Sequence, residues 1–180
     1  MPWMGSLTKN HQSICSAILL SKNTRDKSVY RNFEPSDISL VKLNKAIKFD
    51  SYINGLCLPD KPEEKDAGEF STCLTCGWGA TKVTSATTFP RASNELQCIE
   101  VKVELEKPDH IRRKSLLTIQ WQEKSLQGPY KGDSGSPLFC RLIYDAKKFL
   151  YGIVMSGATF TVSGLTYFER IPSNLEWINQ

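Results

Sequence analysis

The sequence has few histidines and no long hydrophobic run. Among its 180 residues only His11 and His110 are histidines, so chemistry that needs an imidazole has two candidates. No stretch of about 18 apolar residues occurs, which excludes a membrane-spanning helix. The N-terminus lacks a basic region followed by an apolar stretch, so no signal peptide is visible. No internal repeat and no low-complexity tract is found.

The overall composition is that of a soluble globular domain, with 40% hydrophobic and 23% charged residues. The chain is long enough for one sizeable core or two small ones. Its net charge of +4 comes from 23 Lys and Arg that are scattered along the sequence. Because no basic stripe or recognition motif accompanies this charge, we expect no nucleic-acid partner.

Short segments rich in Ile, Val, Leu, Phe and Tyr dominate the sequence and predict strands. The predicted strands are residues 13–20, 37–43, 72–78, 96–103, 137–144, 149–156 and 165–171. Strands at this density indicate an all-β barrel or sandwich. One terminal helix is expected, with Pro172 at its start and an apolar stripe formed by Leu175, Trp177 and Ile178. The charged composition of residues 59–69 is typical of a linker.

The strongest local signal is the run Gly132-Asp133-Ser134-Gly135-Ser136-Pro137. A serine hydroxyl becomes a nucleophile when a base takes its proton and donors stabilise the oxyanion. Glycine on both sides of a serine lets the backbone turn tightly, so that successive N–H groups face one point. The run therefore predicts a nucleophile loop.

Segments on both sides of this loop, together with it, resemble the trypsin/chymotrypsin family of serine endopeptidases, in the family's order. They are Pro2-Trp3-Met4-Gly5-Ser6-Leu7, Cys15-Ser16-Ala17-Ile18-Leu19-Leu20, Asp37-Ile38-Ser39-Leu40-Val41-Lys42-Leu43, Cys57-Leu58-Pro59, Cys73-Leu74-Thr75-Cys76-Gly77-Trp78-Gly79, Tyr151-Gly152-Ile153-Val154 and Tyr167-Phe168-Glu169-Arg170-Ile171. The resemblance implies an all-β, chymotrypsin-like double β-barrel. The first barrel would be incomplete, the second nearly complete and followed by a C-terminal helix. We expect residues 1–67 to form the truncated N-terminal barrel and linker, and residues 68–180 the C-terminal barrel.

The resemblance also implies roles for individual residues. Ser134 corresponds to the catalytic nucleophile, and the N–H groups of Gly132 and Ser134 to the oxyanion hole. Asp37 corresponds to the aspartate that orients the catalytic histidine. Asp133 corresponds to the carboxylate that pairs with a new N-terminal ammonium in active members. Because no such ammonium is evident, we expect the loop around Asp133 to be reorganised or solvated.

The specificity pocket and one disulfide follow from the same resemblance. Gly128 corresponds to the base of the pocket, and Ser156 and Gly157 to its wall. Cys73 and Cys140 correspond to a family disulfide. The pairing of the other four cysteines (15, 57, 76 and 98) stays open.

Several departures from the family pattern bear on activity. The family's histidine lies between the Cys15 and Asp37 segments, but none of the 21 residues there is histidine. Tyr130 stands where many members of the family have a cysteine that braces the pocket, and Ser156 where a tryptophan usually lines the substrate cleft. Ser136 stands where the family has a second glycine after the nucleophile. We therefore expect a homologue that is inactive in this form. The alternatives are an incomplete isoform or gene model of a secreted endopeptidase, and a weak hydrolase in which another base serves Ser134.

Cys73-x-x-Cys76 lacks a second pair at zinc-finger spacing, so no metal or other cofactor is expected. The stretch from Gly128 to Gly132 lacks the spacing of a phosphate loop. The expected ligands are proteins or peptides, with the oligomeric state open. The family resemblance and the cysteine content indicate an extracellular protein, although no signal peptide is present.

Overall fold

The computed structural model describes residues 1–10, 12–20, 37–41, 43–60, 70–81, 92–101, 103, 116–120, 128–144, 146–155 and 165–179. Within these ranges the regular secondary structure consists mainly of β-strands. The strands are β1 Met4–Lys9, β2 Gln12–Ile18, β3 Phe70–Gly77, β4 Gln97–Val101, β5 Leu116–Gln120, β6 Pro137–Leu142, β7 Lys148–Val154 and β8 Leu165–Arg170. A 3₁₀ turn at Pro172–Asn174 leads into a single helix, α1, at Leu175–Ile178. The expectation of an all-β fold with a C-terminal helix is confirmed.

The strands form two antiparallel sheets. β1 and β2 make a two-stranded hairpin at the N-terminus, and the other six strands form one sheet in the order β4-β3-β6-β7-β8-β5. The hairpin and the larger sheet fall on the two sides of the predicted boundary near residue 67. The division into domains 1–67 and 68–180 itself stays a prediction.

Successive side chains of a strand point to opposite sides of a sheet. Apolar side chains lie on both sides of the larger sheet, so both of its faces are buried. On one face Leu138 and Cys140 of β6 join Tyr151 of β7 and Phe168 of β8 in an apolar cluster. On the opposite face, Phe139 and neighbouring apolar residues form a second cluster. Its other fully buried members are Ile38, Leu56, Cys76, Leu150, Ile171, Leu175 and Trp177. The N-terminal segments and α1 thus cover a face that would otherwise be exposed.

The segment 54–57 connects the hairpin to the larger sheet through backbone hydrogen bonds. The Leu56 N–H donates to the Leu19 carbonyl (2.9 Å), and the Leu150 N–H donates to the Cys57 carbonyl (2.8 Å). Trp3 packs edge-on against Phe139, with ring centroids 5.4 Å apart. These contacts hold the N-terminal part of the protein against the sheet that carries the Ser134 loop.

Two disulfides cross the larger sheet. Cys73 and Cys140 lie directly opposite each other on β3 and β6 and are bonded, which is the pairing that the family resemblance implies. Cys76 and Cys98 lie opposite each other on β3 and the edge strand β4, and they are also bonded. The second bridge pairs two of the four cysteines whose partners the sequence left open. Cys15 and Cys57 carry free thiols.

Six of the seven predicted strands correspond to β2, β3, β4, β6, β7 and β8, whereas the strand predicted at 37–43 is wrong. The described residues of that segment contain one isolated bridge position, Ser39. Side chains anchor the segment instead: Ile38 is buried in the second cluster, and the Asp37 N–H donates to the Glu169 carboxylate (3.3 Å). β1 and β5 were missed. Over the described residues, no helix is long and apolar enough to cross a bilayer.

Candidate active site: the Ser134 loop

The backbone around Ser134 forms a tight double turn. Asp133 N–H donates to the Tyr130 carbonyl and Ser136 N–H donates to the Asp133 carbonyl, each at 2.9 Å. Gly132 and Gly135 adopt φ angles of 97° and 82°. Side chains are disfavoured in that region, so both turns require glycine. The predicted turn at the Gly-Asp-Ser-Gly run is therefore present, and Ser134 lies half-buried between its two glycines.

Strands from both sheets hold this loop. The Ser16 N–H, on β2, donates to the Ser134 carbonyl (2.9 Å). On the other side, Gly135 N–H donates to the Val154 carbonyl (2.9 Å), and Val154 N–H returns a bond to the Ser136 carbonyl (2.8 Å). The nucleophile candidate is thus fixed at the junction of the N-terminal hairpin and β7.

Ser16 has a second contact with the loop, which sequence reasoning missed. The hydroxyl of Ser136 donates to the hydroxyl of Ser16 (3.0 Å), and both residues are buried. A Cβ atom at Gly135 would collide with the Ser16 carbonyl oxygen, so the two strands approach as closely as a glycine allows. Ser136 had been noted as a departure from a family glycine. Its partner is 120 positions away in the sequence, and no local pattern identifies it.

The carboxylate of Asp133 lies at the end of β3, between the backbone N–H groups of Gly79 and Tyr130, which together form the Asp133 cradle. It accepts hydrogen bonds from the Gly79 N–H at one oxygen (2.8 Å) and from the Tyr130 N–H at the other (2.9 Å). A Cβ at Gly77 or Gly79 would collide with this carboxylate. The carboxylate was expected to be unpaired and the loop reorganised, whereas the structure supplies two backbone donors and keeps the turn formed.

Burial and hydrogen bonding act on Asp133 in opposite directions. Desolvation raises the pKa of the Asp133 carboxyl above its ordinary value of 3.8, and the two backbone hydrogen bonds offset part of that rise. The net upward shift of the pKa means that the folded loop favours the protonated form relative to the unfolded state.

The N–H groups of Gly132 and Ser134, assigned to the oxyanion hole, have no hydrogen-bond acceptor among the described residues. Buried backbone N–H groups are nearly always paired in native proteins. Here Gly132 is exposed and Ser134 half-buried, so both N–H groups can remain available to an acceptor from outside the protein. An arrangement of this kind can stabilise a negative oxygen.

Asp37 lies elsewhere on the framework. Its side chain is exposed, and its backbone N–H donates to Oε2 of Glu169 on β8. Among the described contacts, none joins Asp37 to the Ser134 loop. The role of Asp37 as an orienting carboxylate therefore stays a prediction.

Glu169 is a fully buried carboxylate that sequence reasoning did not single out. It accepts the Asp37 N–H at Oε2 and the Asn174 side-chain amide at Oε1 (2.9 Å). The same amide nitrogen donates to the Arg170 carbonyl (2.7 Å). The signal that could have identified it is a charged residue inside the apolar run of β8. The Glu169 carboxylate thereby links the start of the 37–41 segment to the C-terminal turn by hydrogen bonds.

The specificity-pocket assignments are only partly covered by the structure. Gly128 is half-buried and is followed by the buried Pro129. Ser156 and Gly157 lie outside the described residues, as do both histidines and residues 21–36. Among the described residues no group of three or more His, Cys, Asp or Glu side chains could hold a metal ion.

Comparison with known proteins identifies a family and several relatives that are similar in sequence. The sequence model of the family described as Trypsin matches residues 24–178. Phenoloxidase-activating factor 3 of Holotrichia diomphalia is 30% identical, over 81% of this chain and 41% of its own length. Spermosin of Halocynthia roretzi is 30% identical, over 79% of this chain and 35% of its own length. Granzyme F of Mus musculus is 30% identical, over 81% of this chain and 55% of its own length. The chain thus spans about a third to a half of the length of these curated relatives.

Proposed function

This chain belongs to the trypsin family of serine proteases, and on that premise we propose that it is a catalytically inactive member whose remaining surface binds protein or peptide ligands. The observation that carries the proposal is the absence of histidine from the 21 residues between Cys15 and Asp37. Without that imidazole, Ser134 lacks the base that takes the proton of the serine in active members of the family.

The expected loss is large. Removing the histidine of a serine protease triad costs roughly 10⁶ in kcat and leaves about 10³–10⁴ over the uncatalysed reaction. Typical enzymes turn over about 1–10³ times per second. A rate lower by that factor is too slow to serve digestion or signalling.

What remains of the site supports ligand binding. The Ser134 loop keeps its turn through bonds to Ser16, Val154 and the Asp133 cradle. The N–H groups of Gly132 and Ser134 have no acceptor within the described part of the chain. Gly128 offers no charge at the base of the pocket, which disfavours ligands that present Lys or Arg there. The two disulfides support an extracellular location, where such bonds persist.

The proposal is tested with a fluorophosphonate probe, which labels activated serine nucleophiles. We expect no labelling of Ser134 in the purified protein at probe concentrations that label an active trypsin-family enzyme completely. Ser136→Ala controls for the other serine of the same loop, and Ser134→Ala defines the background. Stoichiometric labelling that Ser134→Ala abolishes and Ser136→Ala preserves would refute inactivity.

A second proposal rests on the form of the loss. The histidine segment is missing as one internal block, whereas other family positions around it are kept, so the sequence is equally compatible with an incomplete product of a secreted serine-type endopeptidase. The test is the genomic and transcript sequence around residues 22–31. An in-frame segment that encodes Ala-Ala-His-Cys there supports this second proposal, and its absence supports the first.

A further inference from the structure

The dipeptide Asn54-Gly55 lies in an exposed loop far along the sequence from the Ser134 loop. Of the eight asparagines in the sequence, Asn54 alone is followed by glycine. The Asn54 side chain is exposed to solvent. The amide of an asparagine can react with the backbone nitrogen that follows it, and glycine hinders this approach least because it has no Cβ atom.

The loop holds the two reacting groups next to each other. The Gly55 N–H donates to Oδ1 of Asn54 at 2.8 Å, so the nitrogen lies beside the side-chain amide. Asp50 caps the preceding turn, because its Oδ1 accepts the N–H groups of Tyr52 and Ile53 (2.7 and 2.8 Å). Reactants kept in contact in this way behave as though their local concentration were very high.

Neighbouring backbone N–H groups bond to other segments of the chain, whereas the Gly55 N–H bonds to the side chain of Asn54. The Asn54 N–H donates to the Pro2 carbonyl and the Leu56 N–H to the Leu19 carbonyl, each at 2.9 Å. Among the described contacts the Gly55 N–H bonds only to the amide that it would attack. The flanking bonds therefore fix the loop without tying up the nucleophile.

We infer that Asn54 is a site of spontaneous deamidation through a cyclic succinimide. The Gly55 nitrogen loses its proton to solvent base and bonds to Cγ of Asn54, while the Cγ–Nδ2 bond breaks and Nδ2 takes up a proton from water and leaves as ammonia. Water then adds to either carbonyl of the ring. Opening gives aspartate or isoaspartate at position 54, a net gain of about 1 Da and one negative charge at neutral pH.

The two products have different structural consequences. The aspartate product keeps the backbone length and its bonds to the hairpin. Isoaspartate adds one atom to the main chain between the two groups that bond to Pro2 and Leu19, so both bonds cannot keep their spacing. A Cβ added at Gly55 would already lie 2.9 Å from the Leu20 carbonyl oxygen, which shows how little room this contact has. Isoaspartate therefore loosens the β1–β2 hairpin from the larger sheet.

The test incubates the whole folded protein at mildly alkaline pH and about 37 °C, followed by peptide mapping of residues 49–65 and 92–102. Asn94 is the matched control within the protein: it is exposed, and the N–H of the following Glu95 bonds to the Ser93 hydroxyl instead. We expect deamidation at Asn54 at least about tenfold faster than at Asn94, with isoaspartate among the products. Asn54→Gln should remove the signal.

A second measurement compares amide hydrogen exchange in residues 1–9 between the isoaspartate fraction and Asn54→Asp. Faster exchange in the isoaspartate form alone supports the structural consequence. Equal rates at Asn54 and Asn94 would overturn the proposed site. Equal exchange in the two product forms would overturn the link to the hairpin.

Discussion

The disulfide between Cys76 and Cys98 offers a quantitative test of the tertiary structure, because its energetic contribution depends on the loop that it closes. The bridge spans 22 positions of sequence, and the loop-closure relation gives about 3.4 kcal/mol of stabilisation at 25 °C. The double substitution Cys76→Ala/Cys98→Ala is expected to lower the free energy of unfolding by about that amount. The longer bridge, Cys73–Cys140, spans 67 positions and gives about 4.4 kcal/mol by the same relation.

The assay is urea unfolding of the oxidised proteins at about pH 5, where thiols are protonated and disulfide exchange is slow. Cys57→Ala is the control, because Cys57 is exposed and unpaired, and it should shift the free energy by no more than about 0.5 kcal/mol. Slopes against urea must be compared, since removing a crosslink also expands the unfolded state. A loss below about 1 kcal/mol, or a non-reducing peptide map that links Cys98 elsewhere, would refute the reasoning.

Three further predictions concern the loop and the core. Gly79→Ala forces a methyl group against the Asp133 carboxylate and should lower the free energy of unfolding in urea by about 1–3 kcal/mol. Gly5→Ala places a methyl group in ordinary contacts and should lower it by no more than about 1 kcal/mol. Equal losses would contradict the close approach of Gly79 to the Asp133 carboxylate. Because the folded pKa of Asp133 is raised, its contribution to stability is present below the unfolded pKa of 3.8 and is lost as the pH rises through the folded value. Wild type should therefore lose stability relative to Asp133→Asn as the pH rises above about 4 in urea titrations, and a relative gain would contradict the burial argument. Phe168→Ala removes a fully buried ring and should lower the free energy of unfolding by about 3–5 kcal/mol, measured by heat or urea. Tyr144→Ala, at a residue that is 92% exposed, should change it by no more than about 0.5 kcal/mol. Similar losses in the two variants would contradict the assigned core.

The strands and the nucleophile loop were predictable because their signals are local. Apolar runs such as the one around Phe139 and Cys140 predict a buried strand, and the glycines beside Ser134 predict a tight turn. β1 was missed because Met4–Lys9 has little apolar patterning, and it forms through its pairing with β2. The wrong strand at 37–43 is apolar enough to pass as one, but it is anchored through Ile38 and the buried Glu169.

The site residues that sequence reasoning missed all depend on long-range contacts. Ser16 meets Ser136 across 120 positions, and Glu169 meets Asp37 across 132. A contact at such a distance depends on how segments far apart in the sequence pack together, and neither residue type is distinctive by itself. Cys76 shows the same limit, since its partner follows from the β3–β4 register that places Cys98 opposite it.

The sequence by itself determined the family, the all-β character of the protein and the absence of histidine from the segment where the family's base lies. These properties reside in residue identities and short spacings, which need no folding to be read. Only the tertiary structure decided how Asp133 is satisfied, that Cys76 is bonded to Cys98, and that the Ser134 turn is held between β2 and β7. The physical reason is that hydrogen bonds and crosslinks form between groups that folding brings within about 3 Å, whatever their separation in the sequence.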